Sequence, residues 1–201
     1  MTQRPLDNLE LIRKVLGADY VEHKIVGLVL EEDYVTEKSK AHLELTDANG
    51  ENRYAIDGAG VGMVDALTDA LITRFSPEYQ SLNSIEFTGF SVGAQFDTKK
   101  HHSGSDAVGH VSLEVRNSEG RAFTFSDSSR SVATSAARAV LAAVEYFVNA
   151  ERAIIMLYRA WQDAKDRDRP DLVGRYTGEL SEVVKSTSYT EVIEKIRREL
   201  G

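Results

Sequence analysis

The chain has 201 residues, of which 42% are hydrophobic and 28% charged, a composition typical of a globular protein that buries a sizeable core. Its formal net charge of −8 argues against a nucleic-acid or membrane-surface binder, because both need a basic face. The chain contains no cysteine, which excludes disulfides and thiolate metal sites and favours a cytoplasmic protein.

The first half of the chain predicts a helix, three strands and a second helix. The N-terminal segment lacks the apolar core of a signal peptide, and no apolar run approaches the roughly 20 residues of a membrane span. Apolar residues recur at helical spacing over residues 7–16, with Asp7 as the cap. Strand patterns follow at residues 24–30, 40–46 and 52–56, with a turn at 47–50. Helical spacing returns between Val64 and Phe75.

The second half repeats this order. Strand patterns cover residues 84–96, 108–115 and 121–125, with a turn at 117–120. The hydroxyls and carboxylate of residues 126–129 predict a helix start, followed by an alanine-rich helical pattern from about 130 to about 167, before Pro170. Two shorter amphipathic helices are predicted at 172–185 and 189–200. A helix as long as the alanine-rich one exceeds what a small domain buries, so we expect it to present a surface to a partner.

The two halves form an internal repeat. Residues 41–67 align with residues 109–136 at an offset of roughly 69, with one extra residue near the turn. We therefore predict an α+β fold of two β-β-β-α units with helices packed on the sheets, followed by a C-terminal helical extension. The predicted divisions are a helical lead at 1–22, a domain at 23–150 with repeats at about 23–80 and 83–150, and the extension at 151–201.

The segment DGAGVGMVDALTDAL, residues 57–71, has three glycines directly before a predicted helix, so much of its backbone there carries no side chain. It is not a GxGxxG motif followed by an acidic ribose-binding residue, and the chain has no GxxxxGK[ST], so nucleotide binding finds little support. Two interpretations stay open. Glycines permit a tight, closely packed turn from strand to helix. Alternatively, the N–H groups at the helix start hold a small anion such as an amino-acid carboxylate.

Two other clusters do not indicate catalysis or metal binding. His101 and His102 stand beside two lysines in a loop, without partners at metal-ligand spacing. Residues 126–131 contain four serines but no GxSxG elbow, so helix capping explains them better than nucleophilic catalysis. We therefore predict no catalytic residue, no metal and no cofactor.

The order of these motifs resembles the C-terminal regulatory domain of 2-isopropylmalate synthase, the LeuA allosteric (dimerisation) domain. The resemblance covers residues 24–149 and rests on GAGVGMVDAL at 58–67, GSDA at 104–107 and the alanine-rich helix that follows residue 126. Met63 stands where the family has a proline. The catalytic TIM barrel of the synthases and its HxH metal motif are not found in this sequence. The resemblance thus implies a stand-alone, non-catalytic regulatory domain.

The resemblance also implies a ligand and partners. The expected protein is a cytoplasmic homodimer of leucine biosynthesis that binds leucine or a related amino-acid effector at a dimer interface, with a catalytic synthase subunit as a further partner. The glycine segment would bind the carboxylate of the effector, and Asp106 would bind its ammonium group. Asp65 would either bind the ammonium group or cap a helix. The implied ligand-binding residues are Gly58, Gly60, Val61, Gly62, Asp65, Gly104, Asp106, Ala107 and Val108. The alternative is a structural or protein-interaction module that has lost ligand binding.

Overall fold

A computed structural model describes residues 6–95 and 108–187, together with Val192 and Ile196. The helices are α1 (Leu6–Leu16), α2 (Met63–Phe75), α3 (Val132–Asp166) and α4 (Pro170–Val183). The strands are β1 (His23–Asp33), β2 (Lys38–Asp47), β3 (Arg53–Gly60), β4 (Glu86–Gln95), β5 (Val108–Arg116) and β6 (Ala122–Ser129). Helix α1 begins one residue before Asp7, which is therefore not its cap. The helix predicted at 189–200 lies outside the described residues, apart from Val192 and Ile196, which are helical and buried.

Two antiparallel three-stranded sheets form the β part of the fold, one in each predicted unit. The strand orders are β1-β2-β3 and β4-β5-β6. Both predicted turns are confirmed: the N–H of Gly50 donates to the carbonyl of Asp47, and the N–H of Gly120 to the carbonyl of Asn117. Both glycines have positive φ, which explains glycine at these two positions.

The internal repeat extends to the details of strand pairing. The first strand of each sheet has a bulge directly before a glycine, and that glycine is paired with a glutamate: Gly27 with Glu44, and Gly89 with Glu114. Alternate residues of the central strands β2 and β5 are buried in the same pattern. The predicted α+β fold of two β-β-β-α units followed by a helical region is confirmed.

The start of the second unit's helix differs from the prediction. Residues 126–129 belong to β6, where they pair with β5, and α3 begins only at Val132. The cap is Ser131, whose side chain accepts a hydrogen bond from the N–H of Thr134 at 3.2 Å. The capping preference of the serines at 126–129 is overridden because the ladder with β5 continues beyond the apolar part of the strand.

Helix α3 is the central helix of the fold. It runs for 35 residues, unbroken through residue 150, and 18 of these residues are buried. Its first half packs on β5 and β6, where Phe123 and Phe125 contact Tyr146 and Phe147. Helices α1, α2 and α4 cover other parts of it. Helices from both ends of the chain thus cover much of α3, while its remaining residues keep some exposure, so a partner surface on this helix stays a prediction.

The segment after α3 is docked against both ends of the fold. The side-chain amide of Asn8 in α1 donates to the carbonyl of Glu182 and to the hydroxyl of Ser186. The side-chain amide of Asn117, in the turn between β5 and β6, donates to the carbonyl of Thr187. Helix α4 and the turn that follows it therefore connect α1 to the second unit. Within the described parts of the chain, no helix is both long enough and apolar enough to cross a membrane.

Two polar side chains of α3, one buried and one partly buried, anchor the segment before β1. The fully buried Asn149 accepts a hydrogen bond from the N–H of Val21 at 2.8 Å and donates one to its carbonyl at 2.8 Å. One turn earlier, Glu145 accepts the N–H of His23, and its Oε1 lies 3.1 Å from the His23 Nδ1. Burial raises the pKa of Glu145, and the hydrogen bonds from His23 offset that rise only in part.

Replacing Glu145 by glutamine is expected to change how stability depends on pH. A carboxyl whose pKa is higher in the folded than in the unfolded protein takes up a proton on folding, so the wild type gains stability as pH falls between the two pKa values. At pH values above both pKa values, Glu145 is charged in the folded protein, and the free-energy cost of burying that charge lowers the stability by its full amount. Glutamine keeps an oxygen for the N–H of His23 and carries no charge.

We therefore expect the stability of Glu145→Gln relative to wild type to be highest near about pH 7.5 and to decline toward about pH 4.5. Urea denaturation across this range measures the difference, and Glu10→Gln, at an exposed position of α1, is the matched control. A relative stability that rises as pH falls would contradict the prediction.

Candidate functional site

The first two glycines before α2 allow β3 to pack closely on that helix. Gly58 and Gly60 lie within β3 and pair with β2, so the turn predicted at 58–62 is wrong for these two residues. A Cβ at Gly58 would lie 2.3 Å from the carbonyl oxygen of Ala66, and one at Gly60 would lie 2.5 Å from the Cβ of Asp65. Any side chain at either position would push the helix off the strand.

Two aspartates of α2 fix the end of β3 to the helix. The Oδ2 atom of Asp69 accepts the N–H of Ala59 at 2.9 Å, and that of Asp65 accepts the N–H of Val61 at 3.3 Å. The two carboxylates stand one turn apart on one face of the helix. Asp65 therefore has a structural hydrogen bond, whether or not it also contacts a ligand.

The start of α2 is open. Gly62 is the N-cap, with an extended φ of −156°, and it provides no side-chain cap. The first intrahelical hydrogen bond joins the N–H of Ala66 to the carbonyl of Gly62, so the N–H groups of Met63 and Val64 have no acceptor within the helix. The corresponding end of α3 is closed by Ser131. The two units thus differ at the kind of position where proteins readily hold an anion.

A cavity of about 930 Å³ lies between this open helix end and the second unit. We call it the inter-unit cavity. The first unit lines it with Val61, Gly62, Val64, Asp65 and Thr68, and the second with residues 86–90 of β4 and Leu113 of β5. It combines the uncapped start of α2, the carboxylates of Asp65 and Glu86, and an apolar wall. This set of groups suits a small zwitterion with an aliphatic side chain.

Strand β4 is incompletely covered beside this cavity. Phe90 pairs with Leu113 and Val92 with Val111, and both partners are buried, so all four side chains lie on the helix-facing side of the sheet. Even so, 40% of Phe90 and 48% of Val92 are exposed, because α3 packs mainly on β5 and β6. An apolar strip therefore continues from the cavity along β4 to open surface.

Only some of the predicted ligand residues come together. Val61, Gly62 and Asp65 line the inter-unit cavity, and Gly60 packs beneath Asp65. Gly58 lines a separate cavity of about 430 Å³, shared with residues of β1, β2, β3 and α2. Val108 is 47% exposed at the start of β5 and lines neither cavity. The remaining residues singled out from the sequence lie outside the described part of the chain: His101, His102, Gly104, Asp106 and Ala107.

The second unit's share of the cavity was not predicted. Glu86, Phe87 and Phe90 occur in an ordinary strand pattern, and only the placement of β4 near α2 brings them to the inter-unit cavity. The buried hydroxyl of Thr68 has no hydrogen-bond partner among the described residues, which also becomes visible only in the folded chain. Among those residues, no group of three or more histidines, aspartates or glutamates is arranged to hold a metal ion.

A family model of the LeuA allosteric (dimerisation) domain matches residues 9–148. That interval contains both β-sheets, α2, the inter-unit cavity and the first half of α3. The matched family is a regulatory and not a catalytic one. No curated protein matches the chain.

Proposed function

This chain belongs to the LeuA allosteric (dimerisation) domain family, and from that premise we propose that it is a non-catalytic regulatory module that binds a small amino-acid effector. Membership of a dimerisation family indicates that the chain forms homodimers. The observation that carries the proposal is the inter-unit cavity, in which the open start of α2 faces the apolar side chains of β4. We take the effector to be leucine or a related branched-chain amino acid, and the regulated partner to be a catalytic synthase.

The groups around the cavity support a specific orientation of the effector. Its carboxylate accepts hydrogen bonds from the N–H groups of Met63 and Val64, which have no helical acceptor. Its ammonium is bound by Asp65, whose carboxylate has acceptor capacity beyond its bond to the N–H of Val61. Its aliphatic side chain packs on Phe90 and the neighbouring wall. An effector bound this way contacts both units at once.

The proposal extends to the dimer. The exposed apolar strip along β4 adjoins the inter-unit cavity, and a second copy of the chain that covered it would also close the cavity. The effector then lies at the dimer interface. Because it would bind the closed arrangement better than the open one, it would shift the equilibrium between the two, which is the condition for allosteric regulation.

Calorimetric titration with leucine, isoleucine and valine, compared with the other amino acids, tests the effector proposal. We expect a branched-chain amino acid to bind and Gly62→Ser to weaken that binding about tenfold, because the serine hydroxyl caps α2 and competes for its N–H groups. Gly62→Ala adds the same Cβ without an acceptor and is the matched control. A Cβ at this position meets no atom within 4 Å, so both variants are expected to fold.

Two outcomes would contradict the proposal. If no amino acid binds at millimolar concentration, the chain is better described as an interaction module without a ligand. If Gly62→Ser and Gly62→Ala bind equally well, the start of α2 is not the carboxylate site. Sedimentation velocity on the same samples reports whether the chain is a dimer and whether the effector changes its compactness.

A further inference from the structure

A third cavity, of about 610 Å³, lies where the N-terminal lead meets the middle of α3. We call it the arginine cavity. Arg152 and Arg159 line it from α3, with Ile155 and Met156 between them, and Leu16 lines it from the end of α1. It shares no lining residue with the inter-unit cavity.

Arg152 is held in place by neutral oxygens alone. Its Nη1 donates to the hydroxyl of Tyr79 at 3.1 Å, and its Nη2 donates to the backbone carbonyl of Asp19 at 3.0 Å. Its Nε is buried and has no acceptor among the described residues. The guanidinium is therefore fixed in orientation and uncompensated by a carboxylate in the described part of the chain, and it keeps N–H donors beyond the two that these bonds use.

Arg159 adds a second cation two helical turns further along the same side of α3. It is exposed, and none of the described residues forms an ion pair or hydrogen bond with it. Two acidic residues also line the cavity, but Glu78 is paired with Arg74 at 3.0 Å, and Asp19 meets Arg152 through its backbone. With Glu78 paired to Arg74, the two arginines of the cavity outnumber the one remaining carboxylate of its lining, that of Asp19, above an apolar floor.

We propose that the arginine cavity binds a small organic carboxylate that carries a short aliphatic chain. Arginine's planar fork of donors matches the two oxygens of a carboxylate, and Arg152, which lines the cavity, keeps one N–H on each Nη beyond its bonds to Tyr79 and Asp19. Leu16, Ile155 and Met156 give the aliphatic chain an apolar surface, which a bare inorganic anion cannot use. The ligand contacts α3 and the end of α1 together, so its binding strengthens the docking of the N-terminal lead.

Calorimetric titration of the full chain with 4-methylpentanoate tests this site. Inorganic phosphate lacks the aliphatic chain and 3-methylbutylamine lacks the carboxylate, so both are comparison ligands. We expect 4-methylpentanoate to bind and Arg159→Gln to weaken it about tenfold, the usual effect of removing one charged hydrogen-bond donor. Arg159 has no partner among the described residues, so this variant keeps the fold intact. Arg167→Gln, just beyond α3 and 73% exposed, makes the same charge change as the control.

Four results would overturn the proposal. The first is that 4-methylpentanoate does not bind at millimolar concentration, and the second is that phosphate binds with equal affinity. The third is that Arg159→Gln and Arg167→Gln weaken the binding of 4-methylpentanoate equally. The fourth is that Gly62→Ser weakens this binding and Arg159→Gln does not. The last result would place the ligand in the inter-unit cavity instead. Because the two cavities share no lining residue, failure here leaves the amino-acid effector proposal standing, and the reverse also holds.

Discussion

The Gly58→Ala variant is expected to lose about 3 kcal/mol of unfolding free energy, at the upper end of the range for overpacked sites. The added Cβ would lie 2.3 Å from the carbonyl oxygen of Ala66 and 2.4 Å from the backbone nitrogen of Ala70. Both are main-chain atoms of α2, so neither can rotate away as a side chain would. The helix has to move off β3, and the packing of the fully buried Leu67 and Leu71 is disturbed with it.

Urea denaturation of Gly58→Ala beside Gly62→Ala separates this clash from the general effect of replacing glycine. A Cβ at Gly62 meets nothing within 4 Å and its backbone is extended, so Gly62→Ala should differ from wild type by about 0.5 kcal/mol or less. Equal stability of the two variants would mean that α2 adjusts freely and that close packing does not require glycine at position 58.

The Asn149→Ala variant is expected to lose about 2 kcal/mol of unfolding free energy, because it leaves buried backbone groups without partners. Its side chain satisfies both the N–H and the carbonyl of Val21 and also donates to the carbonyl of Glu145 at 2.9 Å. No other described side chain replaces these bonds in the fold. The segment before β1 should therefore detach from α3 more readily.

Asn83→Ala, at an exposed position, is the matched control for Asn149→Ala and should be close to neutral. Asn149→Asp gives a second test, because it keeps an acceptor for the N–H of Val21 and turns the donor into an oxygen that faces two carbonyls. Both position-149 variants should show faster hydrogen exchange at residues 21–23 than wild type. Unchanged exchange there would show that the anchor lies elsewhere.

The spacing of hydrophobic residues was sufficient to predict most of the fold, because each strand has one buried face. Residues 40–45 and 109–115 alternate between buried and more exposed positions, and the turns that follow these strands contain glycine where φ is positive. The repeat was visible for the same reason. Residues 126–129 were assigned wrongly because capping residues and polar strand residues are the same amino acids, and only the partner strand decides between them.

The site was less predictable because it depends on contacts between distant parts of the chain. Glycines at 58 and 60 fitted two explanations equally well until the distance of each from α2 was known. No pattern in the sequence of β4 itself indicates that this strand lines the inter-unit cavity. Arg152 and Arg159 likewise stand in an ordinary amphipathic pattern, and only the docking of α1 and the turn after α2 creates a cavity around them.

The unbroken length of α3 has a mechanical consequence. At 35 residues it is about 52 Å long, and its first half is embedded in the second unit while its second half carries α4. A helix of this kind acts as a lever: a rotation of the second unit by about 5° moves the far end by about 4 Å. A small adjustment of the second unit against α2 would thus reach the opposite end of the molecule as a displacement that a partner protein can detect.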